Sequence, residues 1–450
     1  MVKVIKGGKL VLEASVVEAT LVMENGKITA ILDKDADVSA LYGECEVMDV
    51  SGKIVVPGGI DPHVHFAAFG TIHAADGFET GSRAALAGGT TTVIDFCERG
   101  EGQSPVDVIH AVREEARNTM VDVALHYSFT ENYEEELAAL DAIMAEGIAG
   151  FKAYTTYDGT TLLPGDFRAI MQKIAGRGGI LIHAEEKSII DNLRAHFDGD
   201  ETDMTAFDKT RPAICERIAS ENVLAIANET GCKVCIAHVS TKDVCDIRAR
   251  ENGNPNFYIE TCPHYMEFTV ENMAGENGCL YTMNPPLHEK SHREGIREAV
   301  KKGYMDMIST DHCSYLEQYK RGQTYCTIPC GVDGAQSRME YVYSEMVAGG
   351  HISLNDYARV TATNAAKFYN LYPRKGVIAV GSDADLAIID PAVEWTYGKD
   401  KIAGSTDYTI FEGKKLTGKC VCTVKGGEVV MKDGVVLSKP GSGEILKANQ

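Results

Sequence analysis

The sequence predicts an α/β fold, a closed (β/α)8 barrel with a small β domain attached. Three observations lead there. Between residues 54 and 375 of the 450-residue chain, apolar strand-like runs alternate with helical stretches, as parallel βα units do. Eight strand candidates fall in that span. Both chain ends, by contrast, read as short strands joined by tight turns.

Taken in order, residues 1–56 form the first β-rich stretch. Asn25-Gly26, set between Leu21-Val22-Met23-Glu24 and Lys27-Ile28-Thr29-Ala30, is a two-residue hairpin signal. The barrel strand candidates are residues 54–56, 91–96, 121–129, 150–154, 179–183, 232–238, 257–261 and 305–310. Long helical stretches such as 104–120 and 213–229 separate several of them. Eight parallel strands divided by helices close into a barrel whose chemistry sits at the C-terminal ends of the strands. After residue 376 the chain returns to β-like runs at 385–389 and 421–431, with Gly426-Gly427 and Asp433-Gly434 as turns. The expected organisation is one β domain from 1–56 and 376–440, a barrel over 57–375, and a C-terminal tail at 441–450. No internal repeat or low-complexity tract interrupts it.

Composition narrows the function classes. With 44% apolar and 24% charged residues the chain should fold into a packed core. A formal net charge of -21, without any dense Lys/Arg run, disfavours nucleic acid and anionic membranes as partners and suits a small neutral substrate. Met1 runs directly into Val2-Lys3-Val4-Ile5, with no basic leader and no 18-residue apolar stretch, so a cytoplasmic location is expected. Thirteen scattered cysteines in a long chain fit a reducing compartment better than a disulfide framework. Cys232 and Cys235, three apart on a strand, should face opposite ways and be structural.

The chemistry gathers where strands end. In Gly58-Gly59-Ile60-Asp61-Pro62-His63-Val64-His65 two histidines at i and i+2 on an extended segment share a face and can reach one metal ion. Alone, that pair is a weak signal. His183 ends the run 179–182, His238 ends 235–237, and Asp311 follows 307–310, each at the same end of its strand. Neutral imidazoles and a carboxylate converging on one barrel mouth are the donors that zinc and related divalent ions use. Lys152 stands at the same level on the fourth strand, where an ammonium has no lone pair and would repel cations. Its carbamate, formed with carbon dioxide, would be an anion with two oxygens able to bridge two metals. Residue chemistry alone favours the plainer reading, a snorkelling or salt-bridged lysine.

The ordered set His63, His65, Lys152, His183, His238 and Asp311 resembles the cyclic amidohydrolases, in their dihydropyrimidinase and hydantoinase branch. The resemblance spans nearly the whole chain and includes residues 57–66 and 84–96, Thr261-Cys262-Pro263, Asn284-Pro285-Pro286-Leu287 and Thr310-Asp311-His312-Cys313. It implies a TIM-like barrel with a β-sandwich made from both chain ends, assembled as a homotetramer or homodimer. It also implies two divalent ions, of zinc, bridged by N6-carboxylated Lys152 and a hydroxide. His63, His65 and Asp311 would hold one ion, His183 and His238 the other. The implied reaction is hydrolysis of a hydantoin- or dihydropyrimidine-type ring to an N-carbamoyl amino acid. Asp311 would act as general base and then general acid. Tyr157 matches the family tyrosine that donates to the developing oxyanion, although a packing tyrosine is the alternative. Asn284 and Cys330 match positions that bind substrate through their backbone.

Several positions depart from the family pattern. Asn284 stands where serine is usual, Cys330 where asparagine is, His288 where arginine is, and Gln336 where glutamate is; the loop at 66–70 is shorter. Such loops read ring substituents, so the metal chemistry is kept and the particular ring is left open. The alternatives are an allantoinase or dihydroorotase-like hydrolase and a non-catalytic scaffold of the same fold. Phe66-Ala67-Ala68, where dihydroorotases carry an arginine, weakens the first, and the complete donor set weakens the second. His73, His110, His126, His196 and His351 share no spacing and are not expected to bind metal. His264 and His312, nearer the barrel mouth, either orient ligands or are hydrogen-bonded neighbours. Trp395 reads as a packing residue.

Overall fold

A computed structural model describes residues 1–67, 74–100 and 102–448. Eight parallel strands follow one another in chain order: Gly59–Asp61, Thr90–Cys97, Asp122–Ser128, Gly150–Tyr154, Ile180–His183, Val234–Ile236, Phe257–Thr261 and Met307–Ile308. Past the last strand the circle is closed by hydrogen bonds to the first. His65 N–H donates to the His312 carbonyl at 2.9 Å, and Thr310 N–H donates to Asp61 Oδ1 at 3.1 Å. Strands covered on both faces are buried throughout rather than alternating, and every residue of Thr90–Cys97 is buried, its three threonines and Asp95 included.

Seven of the strand candidates fall on this barrel. The first does not: Ile54–Pro57 pairs antiparallel with the long strand Leu386–Thr396 in the other sheet, and the barrel begins at Gly59–Asp61. A buried apolar run carries no period that tells which sheet it joins, and a three-residue strand containing a glycine and an aspartate is too short and too polar to stand out.

The second sheet has ten strands drawn from both chain ends, and Ile54–Pro57 is where the two ends meet. Leu10, Leu21 and Val55 from the first segment share one core with Leu386, Ile388 and Val424 from the last. The hairpin at Asn25-Gly26 forms as expected, with φ of 51° and 77°, the paired positive values that a type I′ turn requires. Among the helices around the barrel, Pro105–Glu115 starts on Ser104, whose hydroxyl accepts from Asp107 N–H at 3.2 Å. Ile214–Thr230 buries Ala219, Val223 and Ala227 and stops at Gly231, in the left-handed region at φ 69°.

Residues 444–448 run under the barrel floor. Val123 N–H donates to the Glu444 carbonyl at 2.8 Å, Leu446 N–H to Val123 at 2.7 Å and Ala448 N–H to Gly147 at 2.9 Å. Leu446 is buried with Ala124, Ala149 and Leu181 inside the barrel. All thirteen cysteines are free, and Cys232 and Cys235 belong to different cores, as their spacing requires. Among the described residues, no helix is long and apolar enough to cross a membrane.

Candidate active site

The first two histidines follow the strand Gly59–Asp61 on extended chain. Asp61 fixes that chain: its carboxylate accepts from Thr310 N–H and, at 2.7 Å, from the Thr310 hydroxyl, tying the His63 segment to the one that carries Asp311. The His63 ring is buried, and its Nδ1 donates to Glu260 Oε1 at 2.6 Å. A carboxylate can only accept, so the proton is on Nδ1 and the Nε2 lone pair faces inward. It lies 3.1 Å from Asp311 Oδ1, which is also 3.1 Å from His65 Nε2. Two electron-rich atoms this close call for a cation or proton between them.

The second pair repeats the device. His183 Nε2 donates to Glu185 Oε2 at 2.6 Å, leaving its Nδ1 lone pair 3.0 Å from His238 Nε2. Glu185 is itself clamped by Arg211, whose Nε donates at 3.0 Å. One inward atom each from His63, His238 and Asp311 lies within 4.8 Å of the others.

Between the two pairs stands Lys152, 1% exposed. Its Nζ is 3.5 Å from His63 Nε2 and 5.1 Å from the ring centres of Phe96 and Tyr154. Among the described residues no carboxylate comes within ion-pair distance of it, so the salt-bridged lysine is not what the geometry shows. Burial pushes its ammonium below the usual lysine range. Burial also lowers His183, and lowers His238 further, keeping both imidazoles neutral. At His63 burial works the same way, but Asp311 and Glu260 outweigh it and the net direction is up. Burial would raise Asp311, yet His63 and His65 hold its carboxyl well below the usual range. Imidazole nitrogens around an ionised carboxylate, with His183 and His238 kept neutral, form a donor set suited to divalent ions.

The backbone is strained at the same place. Of six non-glycine residues with positive φ among the described residues, three belong to this cluster: Tyr157 at 80°, His238 at 37° and Asp311 at 50°. Each costs on the order of 1 kcal/mol, a cost found where side chains must be aimed.

All nine residues singled out from the sequence line one cavity of about 520 Å³: the six around Lys152 together with Tyr157, Asn284 and Cys330. The Tyr157 ring lies 4.8 Å from His183, and the Arg211 guanidinium is 5.5 Å from its centre. Asn284 Oδ1 is buried without a hydrogen-bond donor, and Cys330 Sγ lies 3.7 Å from the Ile328 carbonyl. Two of the departing positions lie away from this cavity. His288 donates to Asp208 at 2.6 Å, and Gln336 bonds Lys401 and Ala403. His312 is a hydrogen-bonded neighbour: its Nδ1 accepts from Gly334 and Ala335 N–H, and its Nε2 faces Asp76 at 3.2 Å. His264 is buried, its Nε2 without a partner. His73 and residues 68–70 of the shortened loop lie outside the described residues.

Compared with known proteins, residues 54–430 match the model of the amidohydrolase family. The chain belongs to that family. D-hydantoinase of Geobacillus stearothermophilus is 34% identical to this amidohydrolase over 99% of its chain and 96% of the relative. D-hydantoinase of Streptomyces coelicolor is 32% identical over 98% and 96%. A crystal structure of a D-hydantoinase superposes with a TM-score of 0.94 at 32% identity, covering 100% of this chain and 99% of that one. These relatives place it in the hydantoinase and dihydropyrimidinase branch.

Sequence reasoning missed Glu185 and Glu260, the carboxylates that set the histidine tautomers, and Arg211 behind Glu185. Glu185 follows His183 by two residues, and Glu260 sits at a strand end beside Thr261-Cys262-Pro263. Their position at the mouth-side ends of strands was the available signal.

Proposed function

We propose that this amidohydrolase opens a hydantoin- or dihydropyrimidine-type ring by hydrolysis, giving an N-carbamoyl amino acid. The observation that carries it is the convergence of four histidines and Asp311 around a buried lysine with no carboxylate in ion-pair distance among the described residues. His63, His65 and Asp311 suit one divalent ion, His183 and His238 a second, and N6-carboxylated Lys152 both; zinc fits these N and O donors best. When bound, such a pair supplies hydroxide at neutral pH and polarises a carbonyl.

The chain's own residues do the rest. Asp311, ionised and held by His63 and His65, accepts the nucleophile's proton as oxygen adds to the ring carbonyl. As the ring C–N bond breaks, Asp311 returns that proton to the leaving nitrogen, so one water is added overall. The Tyr157 hydroxyl donates to the oxygen that gains charge. Backbone groups of Asn284 and Cys330 hold the ring's amide edge.

Metal analysis of purified protein, coupled to turnover of hydantoin, 5-substituted hydantoins, dihydrouracil, allantoin and dihydroorotate, tests this. About two ions per chain with opening of hydantoin or dihydrouracil is the expected result. Turnover of allantoin or dihydroorotate alone would move the substrate to that class, and protein left inactive by added metal and bicarbonate would favour a scaffold. A homotetramer or homodimer and a cytoplasmic location complete the proposal; sedimentation and cell fractionation check them.

A further inference from the structure

One wall of the cavity carries a charge that ring opening does not use. The strand Thr90–Cys97 ends at the same mouth as the histidines, and the next residue, Glu98, is half-buried and lines the cavity. Glu98 Oε1 accepts the hydroxyl proton of Tyr154, whose ring centre is 5.1 Å from Lys152 Nζ. The carboxylate thus stands one phenol ring away from the centre of the donor cluster. Among the described residues no lysine, arginine or histidine lies within ion-pair distance of it. Its neighbour Arg99 turns away, to Glu135 at 2.9 Å and Glu136 at 3.7 Å. The other acid at the mouth differs: Asp158 is exposed and already paired with Lys187 at 3.0 Å.

A partly desolvated carboxylate without a cation is costly to keep, and the cost is recovered when a guest brings the counter-group. With its proton committed to Glu98, the Tyr154 oxygen keeps lone pairs but no proton to donate. This stretch of wall therefore offers acceptors, beside Ile328, Cys313 and Tyr315.

We infer that Glu98, braced by Tyr154, is the specificity-determining residue for the ring substituent. It selects hydantoin-type rings whose side arm carries N–H donors, an amine, guanidine or ureido group, over alkyl or aryl arms. This deepens the ring-opening reading above and rests on it for the identity of the ring.

The test compares 5-aminopropyl, 5-ureidopropyl, 5-butyl and 5-carboxyethyl hydantoins on the metal-loaded wild type, Glu98→Gln and Glu98→Leu, by kcat/KM and by calorimetric binding. Wild type should favour the aminopropyl over the butyl compound by roughly tenfold or more, as one charge-assisted hydrogen bond allows. It should take the carboxyethyl compound worst. Glu98→Leu should reverse the aminopropyl-to-butyl ratio, while Glu98→Gln, near in shape, should keep ureidopropyl binding and lose the amine preference. A wild type indifferent to the side arm, or a preference that survives Glu98→Leu, would overturn the inference even if every ring is opened. If binding follows the expected order while no ring is opened, the ring-opening reading fails and the role of Glu98 stands.

Discussion

At the scale of single residues, the site depends on groups with no tolerated substitute. Lys152→Ala should lose the ability to hold a pair of ions and most activity, because no other side chain occupies its position between the two histidine pairs. Asp311→Ala should lose turnover by about 10²-fold or more while keeping part of the metal, since His183 and His238 are untouched. Metal analysis and initial rates on the two variants separate these outcomes, and a fully active Lys152→Ala protein would refute the mechanism. Glu260→Gln replaces the acceptor that fixes the His63 tautomer; metal affinity should fall about 10- to 100-fold, measured by chelator competition. Which residues were legible in the sequence follows the same physics. His63, His65, His183, His238 and Asp311 were readable because strand geometry puts each at one mouth. Glu185 and Glu260 were not, because a carboxylate that acts through a histidine obeys no spacing rule.

Elements show where pattern stops informing. The strands that coincide with expectation, such as Gly150–Tyr154 and Phe257–Thr261, are five-residue runs buried along nearly their whole length. Gly59–Asp61 was missed because its stability comes from neighbours: Asp61 is bonded across the barrel seam to Thr310, an interaction between residues far apart in the chain. A second element-level feature concerns the helix Ser337–Val342, which buries Glu340 against the strand Lys415–Lys425, where it accepts from Cys420 N–H at 3.1 Å. Burial pushes the Glu340 carboxyl up to about 8. The folded protein therefore keeps a proton that the unfolded chain releases near pH 4.5, and stability declines as pH rises from about 5 to 8 before levelling off. Glu340→Gln should remove its share of that decline, up to a few kcal/mol, in urea titrations at pH 5.5 and 8, the buried Glu216 and Asp95 carboxyls, also pushed up, keeping the rest.

For the whole molecule, the joint between the two sheets holds a buried ionic clamp beside a shared apolar core. Lys375, 3% exposed, is held by Asp122 of the barrel and by Asp383 and Asp385 beside the strand Leu386–Thr396, the latter two at 2.9 and 2.6 Å. Three carboxylates within reach of one another could suggest a metal, but the ammonium already fills their centre. Lys375→Met leaves Asp385 without a cation, while Asp122 keeps Lys425 and Asp383 keeps Lys27 and Arg374, and should cost about 3 kcal/mol, read as a lowered urea midpoint. Nothing in the spacing of residues 122, 375, 383 and 385 announces this clamp, since it exists only once the sheets meet.

The pairing of Ile54–Pro57 with Leu386–Thr396 also sets a clock on biosynthesis. About 330 residues separate the two strands, so at ~5–20 residues per second a nascent chain carries Ile54–Pro57 with one edge open, the other being paired with Lys9–Val11, for roughly 20 to 60 s before its second partner emerges. During that interval an open sheet edge is exposed to other chains. Covering that edge until residue 396 has been made should therefore raise the share of chains that reach the native state.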